Sequence, residues 1–215
     1  MVKESYIIAP SHKVLRGFFV PFIYLYYMKL TNIFEEIEID GNSVKLINPY
    51  DKIRKFNVGD RVVYALFGNV GYYNNREAIL AIKGMSNTLE LNGESYVHFL
   101  RTFKKRFDSV AKLANTDMLV SLETSSNIND DIMGVINKPS IKDGFKKMDN
   151  SFKMRGVPKA ERRSITGLFN MDFELSDNIC VVDDFITTGS SFRNAFNIIP
   201  NNINAVGVCL FRLED

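Results

Sequence analysis

Two adjacent carboxylates precede a short loop in which four hydroxyl side chains surround one glycine. The residues are Asp183, Asp184, Thr187, Thr188, Gly189, Ser190 and Ser191. Hydroxyl groups donate hydrogen bonds to a phosphate, and a glycine lets the backbone approach such an anion closely. Carboxylates repel a phosphate, but they accept hydrogen bonds from sugar hydroxyls and hold Mg²⁺ directly or through water. The pattern therefore predicts a ligand with a phosphate at one end and a ribose diol nearby.

The flanking residues place this loop between a strand and a helix. Residues 179–182 form an apolar run typical of a strand buried on both faces. Apolar residues then recur at helical spacing from Phe192 to Ile199, behind a serine N-cap. A helix start offers unpaired N–H groups and a partial positive charge, which favours a phosphate. The alternative is an ordinary polar loop and capped helix, but such loops seldom combine two acids with four hydroxyls around a glycine.

The stretch from 178 to 191 resembles the phosphoribosyl pyrophosphate signature of the type I phosphoribosyltransferases: an apolar strand, Asp-Asp, two variable residues and Thr-Thr-Gly-Ser-Ser. Over residues 61–215 the chain also resembles the ComF-type, competence-associated branch, through an Ile-rich helix closing on Lys83 and a basic stretch before the acidic pair. ComF-type proteins usually begin with a cysteine zinc ribbon, and residues 1–60 contain no cysteine. A DNA-handling role tied to that ribbon is therefore in doubt.

The resemblance implies an α/β protein with the type I phosphoribosyltransferase fold, a central, mostly parallel sheet flanked by helices. Residues 61–215 would form that domain. Residues 1–60 are expected to be a β-rich N-terminal region that serves as a hood over the acceptor or as a dimer surface, so a homodimer is left open.

The resemblance also implies a reaction in which phosphoribosyl pyrophosphate gives its phosphoribosyl group to a nitrogen nucleophile and releases pyrophosphate, with Mg²⁺ as cofactor. Asp183 and Asp184 would act at the reaction centre, holding the diol and the metal, and residues 187–191 would hold the 5′-phosphate. Enzymes of 6-oxopurines carry an acid where this chain has Thr187, so the orotate-type or ComF-type pattern is closer. The nitrogenous acceptor and a general base are not identified by the sequence.

A second hydroxyl-rich loop follows an apolar run at 118–122. In open parallel sheets, ligands collect beyond the carboxyl ends of the strands, so two such loops could hold two phosphate groups of one substrate. Type I phosphoribosyltransferases have a pyrophosphate-contacting loop after an early strand, and residues 121–125 fall in the matching place. The resemblance thus implies Ser121, Thr124 and Ser125 as substrate-binding residues.

Residues 153–163 are strongly basic and contain a glycine and a proline. A charge run of this kind is usually a solvated loop or helix face. Its position before the signature matches a mobile loop that closes over pyrophosphate in the family. Four cations would then supply countercharge: Arg155, Lys159, Arg162 and Arg163. Among them, Arg155 and Arg163 are assigned to catalysis.

Periodicity predicts the other elements. Strands are expected at 6–9, 18–27, 62–67 and 203–212, with a hairpin around Asp40-Gly41 and a turn at 68–71. Helices are expected at 75–83, at 128–136 and at 141–148, the last behind Ser140 as N-cap, and a long helix is expected after residues 92–95 with its apolar period running from 99 to 114. The run 203–212 would complete a strand–helix–strand unit with the signature.

The charge and the cysteine content limit the kinds of partner and compartment that the sequence predicts. The 27 basic and 25 acidic residues leave a formal charge of +2, which predicts neither a nucleic-acid nor a membrane partner. Residues 17–30 are too short to span a bilayer and Pro21 interrupts them. Cys180 and Cys209 lie in apolar runs, which predicts buried reduced thiols and a cytoplasmic protein.

A rival prediction comes from another functional class. The same fold serves non-catalytic regulators that bind phosphoribosyl pyrophosphate or nucleotides and pass the signal to nucleic acid or protein. The lack of a recognisable base and the β-rich N-terminal region are compatible with such a regulator. Binding to nucleic acid and a link to DNA uptake therefore stay open, because a basic patch survives in a neutral total.

Overall fold

The computed structural model describes residues 12–15, 18–21, 36–39, 42–45, 52–71, 76, 79–83, 93–124, 126–149, 156–158 and 160–214. The strands are β1 (His12–Leu15), β2 (Phe18–Pro21), β3 (Glu36–Ile39), β4 (Asn42–Lys45), β5 (Arg54–Val58), β6 (Arg61–Ala65), β7 (Asn69–Gly71), β8 (Met118–Leu122), β9 (Ser140–Lys147), β10 (Phe169–Met171), β11 (Asn178–Val182), β12 (Phe185–Ile186), β13 (Asn204–Cys209) and β14 (Phe211–Glu214). The helices are α1 (Gly93–Ser109), α2 (Ala111–Ala114), α3 (Ile128–Ile136) and α4 (Ser190–Ile198), with a 3₁₀ turn at Glu161–Ser164. Residues 79–82 are also helical.

A seven-stranded sheet in the order β10-β9-β8-β11-β13-β6-β5 forms the centre of the protein. The strands from β9 to β6 pair in parallel, and the edge strands β10 and β5 are antiparallel to their neighbours. A second sheet of three parallel strands has the order β12-β14-β7. The prediction of an α/β protein with a mostly parallel central sheet flanked by helices is confirmed at this level.

Strand β11 shows how helices cover both faces of the central sheet. Successive side chains of a strand point to opposite faces. Cys180 and Val182 pack into the cluster formed with α1 and α3, whereas Ile179 and Val181 pack into the cluster formed with α4. All four side chains are fully buried. The predicted burial of this strand on both faces is therefore confirmed.

Helix α4 connects β11 to the parallel strand β13, so the predicted strand–helix–strand unit is confirmed. The helix approaches the sheet closely at Gly207 of β13. A Cβ atom there would lie 2.7 Å from Cε1 of Phe192 and 2.8 Å from Cγ2 of Val63. Because Phe192 and Val63 are fully buried, neither has open space to retreat into.

Replacing Gly207 by alanine is expected to lower the free energy of unfolding by about 1–3 kcal/mol, because the added methyl overpacks the α4–sheet interface. Gly134→Ala in α3 is the matched control, since a Cβ there meets no atom within 4 Å. That control should be neutral or stabilising, as alanine favours a helix. Urea unfolding measures both changes, and equal midpoints for the two variants would contradict the close approach.

Several predicted elements match the structure. The hairpin around Asp40-Gly41 is confirmed in its strands, because β3 and β4 pair antiparallel up to Ile39 and Asn42; the two turn residues lie outside the described residues. The strand at 118–122 and the helix at 128–136 have the predicted bounds. Both cysteines are free and buried, as expected.

Strand β5 falls before the predicted domain boundary at residue 60 and yet pairs within the central sheet.

Three predictions about local structure are wrong. Residues 141–148 are not a helix, because Ser140–Lys147 forms the strand β9. Residues 69–71 form β7 instead of a turn. The run 203–212 is not one strand, since β13 ends at Cys209 and β14 continues in the three-stranded sheet from Phe211.

Within the described part of the chain, no helix has the length and apolar character needed to cross a bilayer.

Candidate functional site

The acidic pair lies at the carboxyl end of β11 and is held by the backbone. The N–H of Asp183 donates to the carbonyl of Val208 at 3.1 Å, and the N–H of Leu210 donates to the carbonyl of Asp184 at 2.9 Å. The N–H of Asp184 donates to Oδ1 of Asp183 at 2.9 Å, and the N–H of Phe185 donates to Oδ1 of Asp184 at 2.7 Å. Each carboxylate is thus oriented by the amide that follows it.

Gly189 forms the junction between the loop and helix α4. Its φ of 77° is left-handed, a conformation that glycine adopts without strain, and it is the N-cap of the helix with no side-chain cap. The predicted serine N-cap is therefore wrong: Ser190 is the first helical residue, and its Oγ lies 2.8 Å from Oγ1 of Thr188. The N–H groups of the first helical turn have no partner within the helix, so they remain available to an anion.

The hydroxyl side chains of this loop differ in exposure. Ser190 is buried, whereas Thr187, Thr188 and Ser191 are half-buried. The main chain at Gly189 is buried against β5, because a Cβ atom there would lie 3.0 Å from Cγ2 of Val58. The loop is therefore a packed structure that presents part of its hydroxyl groups to solvent.

The loop after β8 meets the acidic pair. Strands β8 and β11 are parallel neighbours, so their carboxyl ends lie at the same edge of the sheet. The hydroxyl of Ser126 donates to Oδ2 of Asp184 at 3.4 Å, which joins the two loops. Thr124 is half-buried, and Ser125 lies outside the described residues.

Ser121 lies inside β8, as the predicted strand at 118–122 implies, and its side chain has no exposed surface. Its Oγ accepts a hydrogen bond from the N–H of Asp143 at 2.8 Å, where the pairing of β8 with β9 shifts register. The hydroxyl therefore satisfies the backbone of the neighbouring strand, and its assignment to substrate binding stays a prediction.

Two lysines near the acidic pair were missed by the sequence analysis as site residues. Nζ of Lys83 lies 2.5 Å from Oδ2 of Asp184 and 4.9 Å from the ring centroid of Phe185. Lys147 of β9 is close enough to lower the pKa of Asp183, and its N–H donates to Oε2 of Glu123 at 2.6 Å. The sequence marks Lys83 only as the end of an Ile-rich helix, and it gives no signal for Lys147 because the spacing at 141–148 predicts a helix.

The electrostatics of the site favour a cation. Burial and then the neighbouring Asp184 carboxylate raise the pKa of Asp183 above its ordinary value, and the positive charges of Lys83 and Lys147 only partly offset this. Because burial is the largest cause, the proton is favoured on Asp183 in the free protein, and a bound cation would favour the ionised carboxylate instead. Mg²⁺ is commonly bound by one or two carboxylates together with substrate phosphates, so the acidic pair fits this ion. Among the described residues, no three His, Cys, Asp or Glu side chains cluster into a protein-only metal cage.

The basic segment before β11 is described only in part. Arg155 and Lys159 lie outside the described residues, and Arg163 is described only as backbone of the 3₁₀ turn. Nε of Arg162 donates to the carbonyl of Val157 at 2.8 Å. The predicted countercharge from this segment therefore stays a prediction.

Asn194 of α4 ties this helix to the stretch of chain just before β10. Its Nδ2 donates to the carbonyl of Ile165 at 2.9 Å, and its Oδ1 accepts the N–H of Leu168 at 3.2 Å. The side chain is 4% exposed. Sequence reasoning missed this residue, because these two partners lie 26 and 29 residues away in the chain.

A cavity of about 320 Å³ lies at the opposite edge of the sheet, where β6 and β13 begin. Its lining includes Arg61, Lys112 and the segment 201–204. Nη2 of Arg61 donates to the carbonyls of Ile199 and Pro200 after α4, and its buried Nη1 has no hydrogen-bond partner among the described residues. The cavity is thus separate from the candidate site.

Comparison of the sequence with protein-family models and with curated proteins gave no match.

Proposed function

We propose that this protein is a phosphoribosyltransferase that binds phosphoribosyl pyrophosphate with Mg²⁺ and transfers the phosphoribosyl group to a nitrogen nucleophile, on a type I phosphoribosyltransferase fold. One observation carries the proposal. An acidic pair, a glycine in the left-handed conformation and a helix start follow one another at the carboxyl edge of a parallel sheet. The carboxylate of Asp184 accepts a hydrogen bond from Ser126, which lies in the loop after the adjacent strand β8. Ligands of open α/β sheets bind at this edge.

The 5′-phosphate is assigned to the start of α4. The first-turn N–H groups and the hydroxyls of Thr187, Thr188 and Ser191 surround the anion, and the helix dipole favours its charge. The contact between Thr188 and Ser190 holds the loop in shape before the ligand arrives. Fixing the phosphate places C1 of the ribose at a constant position relative to the acidic pair.

The ribose diol and the leaving group are assigned to the acidic pair and the β8 loop. Asp183 and Asp184 accept hydrogen bonds from the diol, and Thr124 with Ser125 contacts the pyrophosphate. Mg²⁺, when bound, neutralises the charge that grows on the leaving pyrophosphate. Lys147 adds positive charge near Asp183, and Arg155 and Arg163 of the basic segment are assigned the same role from the sequence alone. Departure of pyrophosphate leaves oxocarbenium character at C1, as in glycoside cleavage.

A second candidate is a non-catalytic regulator that binds phosphoribosyl pyrophosphate or a nucleotide at the same place. The ion pair between Lys83 and Asp184 favours it, because the protein then neutralises its own acidic pair without a metal. Release of pyrophosphate in the presence of a panel of nitrogenous bases separates the two. Turnover supports the enzyme, and binding without turnover supports the regulator.

The double change Asp183→Asn with Asp184→Asn is expected to weaken Mg²⁺-dependent binding of phosphoribosyl pyrophosphate by about a hundredfold or more, because both carboxylate contacts are lost. Titration calorimetry with and without Mg²⁺ measures this loss. Asp108→Asn is the matched control, since Asp108 is exposed and pairs only along α1 with Lys104. Equal affinity in the double variant and the control would refute the site.

A further inference from the structure

Lys83 is a cation outside the phosphate signature that is fixed against the acidic pair. It follows the helical residues 79–82, and its N–H donates to the carbonyl of Ile79 at 3.2 Å. Ile79 and Ile82 are each 2% exposed, so this end of the segment is anchored in the core. The position of the ammonium is therefore set by packing at its base and by Asp184 and Phe185 at its tip.

The ammonium of Lys83 lies where the two loops of the site join. Oδ2 of Asp184 contacts Nζ of Lys83 at 2.5 Å and also accepts the hydroxyl of Ser126 at 3.4 Å. A lysine ammonium has three donors, and Asp184 requires one of them. The side chain of Lys83 is 24% exposed, so it is not sealed in the core.

We propose that Lys83 is the resident counter-ion of Asp184 in the free protein and that it passes to the pyrophosphate group of the substrate when Mg²⁺ takes its place on the carboxylate. This inference rests on the proposed function and adds an order of events to it. Mg²⁺ alone must compete with Lys83 for Asp184. Mg²⁺ together with pyrophosphate meets no such competition, because the anion offers Lys83 another partner.

The exchange couples metal and substrate. Mg²⁺ and pyrophosphate each remove part of the free-energy cost of binding the other, so they bind cooperatively. The coupling free energy is the same whichever ligand binds first. A lysine that only stabilised the fold would not produce this coupling. Its removal would loosen the site for every ligand in the same direction.

Lys83→Met is expected to change two affinities in opposite directions. Binding of Mg²⁺ alone should strengthen by about tenfold, because its competitor is gone, and binding of Mg²⁺-pyrophosphate should weaken by about tenfold, because one charge-assisted contact is lost. Binding of ribose 5-phosphate should not change, since its phosphate lies at α4. Titration calorimetry with each of these three ligands gives the values without any need for turnover.

Two further variants serve as a substitute for Lys83→Met and as a control. Lys83→Gln retains a hydrogen-bond donor for Asp184 without the charge, so it is expected to give the same opposite changes if the methionine variant does not fold. Lys104→Met is the matched control, because Lys104 pairs with Asp108 on the surface of α1 and should leave all three affinities unchanged.

The outcomes distinguish the two proposals. If the wild-type protein binds ribose 5-phosphate and Mg²⁺-pyrophosphate, and the Lys83 variants bind all three ligands like the wild type, the inference is overturned while the proposed function stands. A parallel loss of all three affinities would also overturn it, since that is the result for a structural lysine. If the wild type binds none of the ligands, the proposed function fails and this inference fails with it.

Discussion

Asp183→Asn is expected to raise the free energy of unfolding of the ligand-free protein, whereas Asp184→Asn is expected to lower it. Burial and the neighbouring carboxylate both disfavour the ionised form of Asp183, so an uncharged asparagine there should stabilise the fold by about 1 kcal/mol or more. Asp184 has an ion pair with Lys83, and its removal leaves that lysine without its carboxylate, at a cost of about 2 kcal/mol. Two adjacent aspartates should therefore have opposite effects.

The stabilisation by Asp183→Asn should grow with pH. A carboxyl group with a raised pKa holds its proton more tightly in the folded protein than in the unfolded chain, where its pKa is about 4. The wild-type protein therefore loses stability as the pH rises from that value through the folded-state pKa of Asp183, and the asparagine variant does not. Urea unfolding at about pH 5 and about pH 8 measures the difference.

Asp108→Asn is again the control, because its surface ion pair should change the free energy of unfolding by no more than about 0.5 kcal/mol. A loss of stability in both Asp183→Asn and Asp184→Asn would contradict the account of the charges. So would a gain at Asp183 that is the same at both pH values, since it would then come from something other than its ionisation.

Gly189→Ala should both destabilise the protein and remove phosphate binding. Alanine at a φ of 77° costs about 1–2 kcal/mol, and its Cβ would also lie 3.0 Å from Cγ2 of Val58. Relief of that contact has to move the start of α4, where the proposed phosphate donors lie. We expect the affinity for ribose 5-phosphate to fall by at least about tenfold, as measured by calorimetry.

Gly59→Ala isolates the backbone cost of the same change. Gly59 has a φ of 67°, and a Cβ there meets no atom within 4 Å. This control should lose stability from the left-handed conformation alone and keep its affinity for ribose 5-phosphate. If Gly189→Ala bound the sugar phosphate as tightly as Gly59→Ala does, the phosphate would not be held at the start of α4.

Elements whose sequence signal is local were predictable. The strand at 118–122 is apolar except for Ser121, the run at 179–182 before the acidic pair is continuously apolar, and α3 has a clear helical period. The position of residues 187–191 between a strand and a helix was predictable for the same reason, because these residues form one uninterrupted motif. The N-cap of α4 was not predictable from this motif. Gly189 is the N-cap because the backbone must turn against Val58 of the distant strand β5.

Strand β9 was mistaken for a helix because of an irregularity. Ile141, Phe145 and Met148 are spaced four and three residues apart, which mimics one face of a helix. In the structure Asp143 has a φ of 46°, and the register with β8 shifts between Val120 and Leu122. A bulge of this kind breaks the alternation of a strand, so the sequence no longer shows its period of two.

The lysines of the site belong to contacts that no local pattern encodes. Lys83 and Asp184 are about a hundred residues apart in the chain, and only the fold brings them together. The break of the last strand is hidden for a different reason. Cys209, Leu210 and Phe211 are all fully buried, so the sequence there is apolar without any turn signal. The chain changes sheets at Leu210 because its N–H bonds to the carbonyl of Asp184.

Backbone amide chemical shifts during a titration with ribose 5-phosphate test the central claim most directly. The largest changes are expected at residues 187–191, between β11 and α4, with smaller changes at Asp183 and Asp184. Changes confined to other parts of the chain, such as the cavity beside Arg61 and residues 201–204, with none at 187–191, would contradict it.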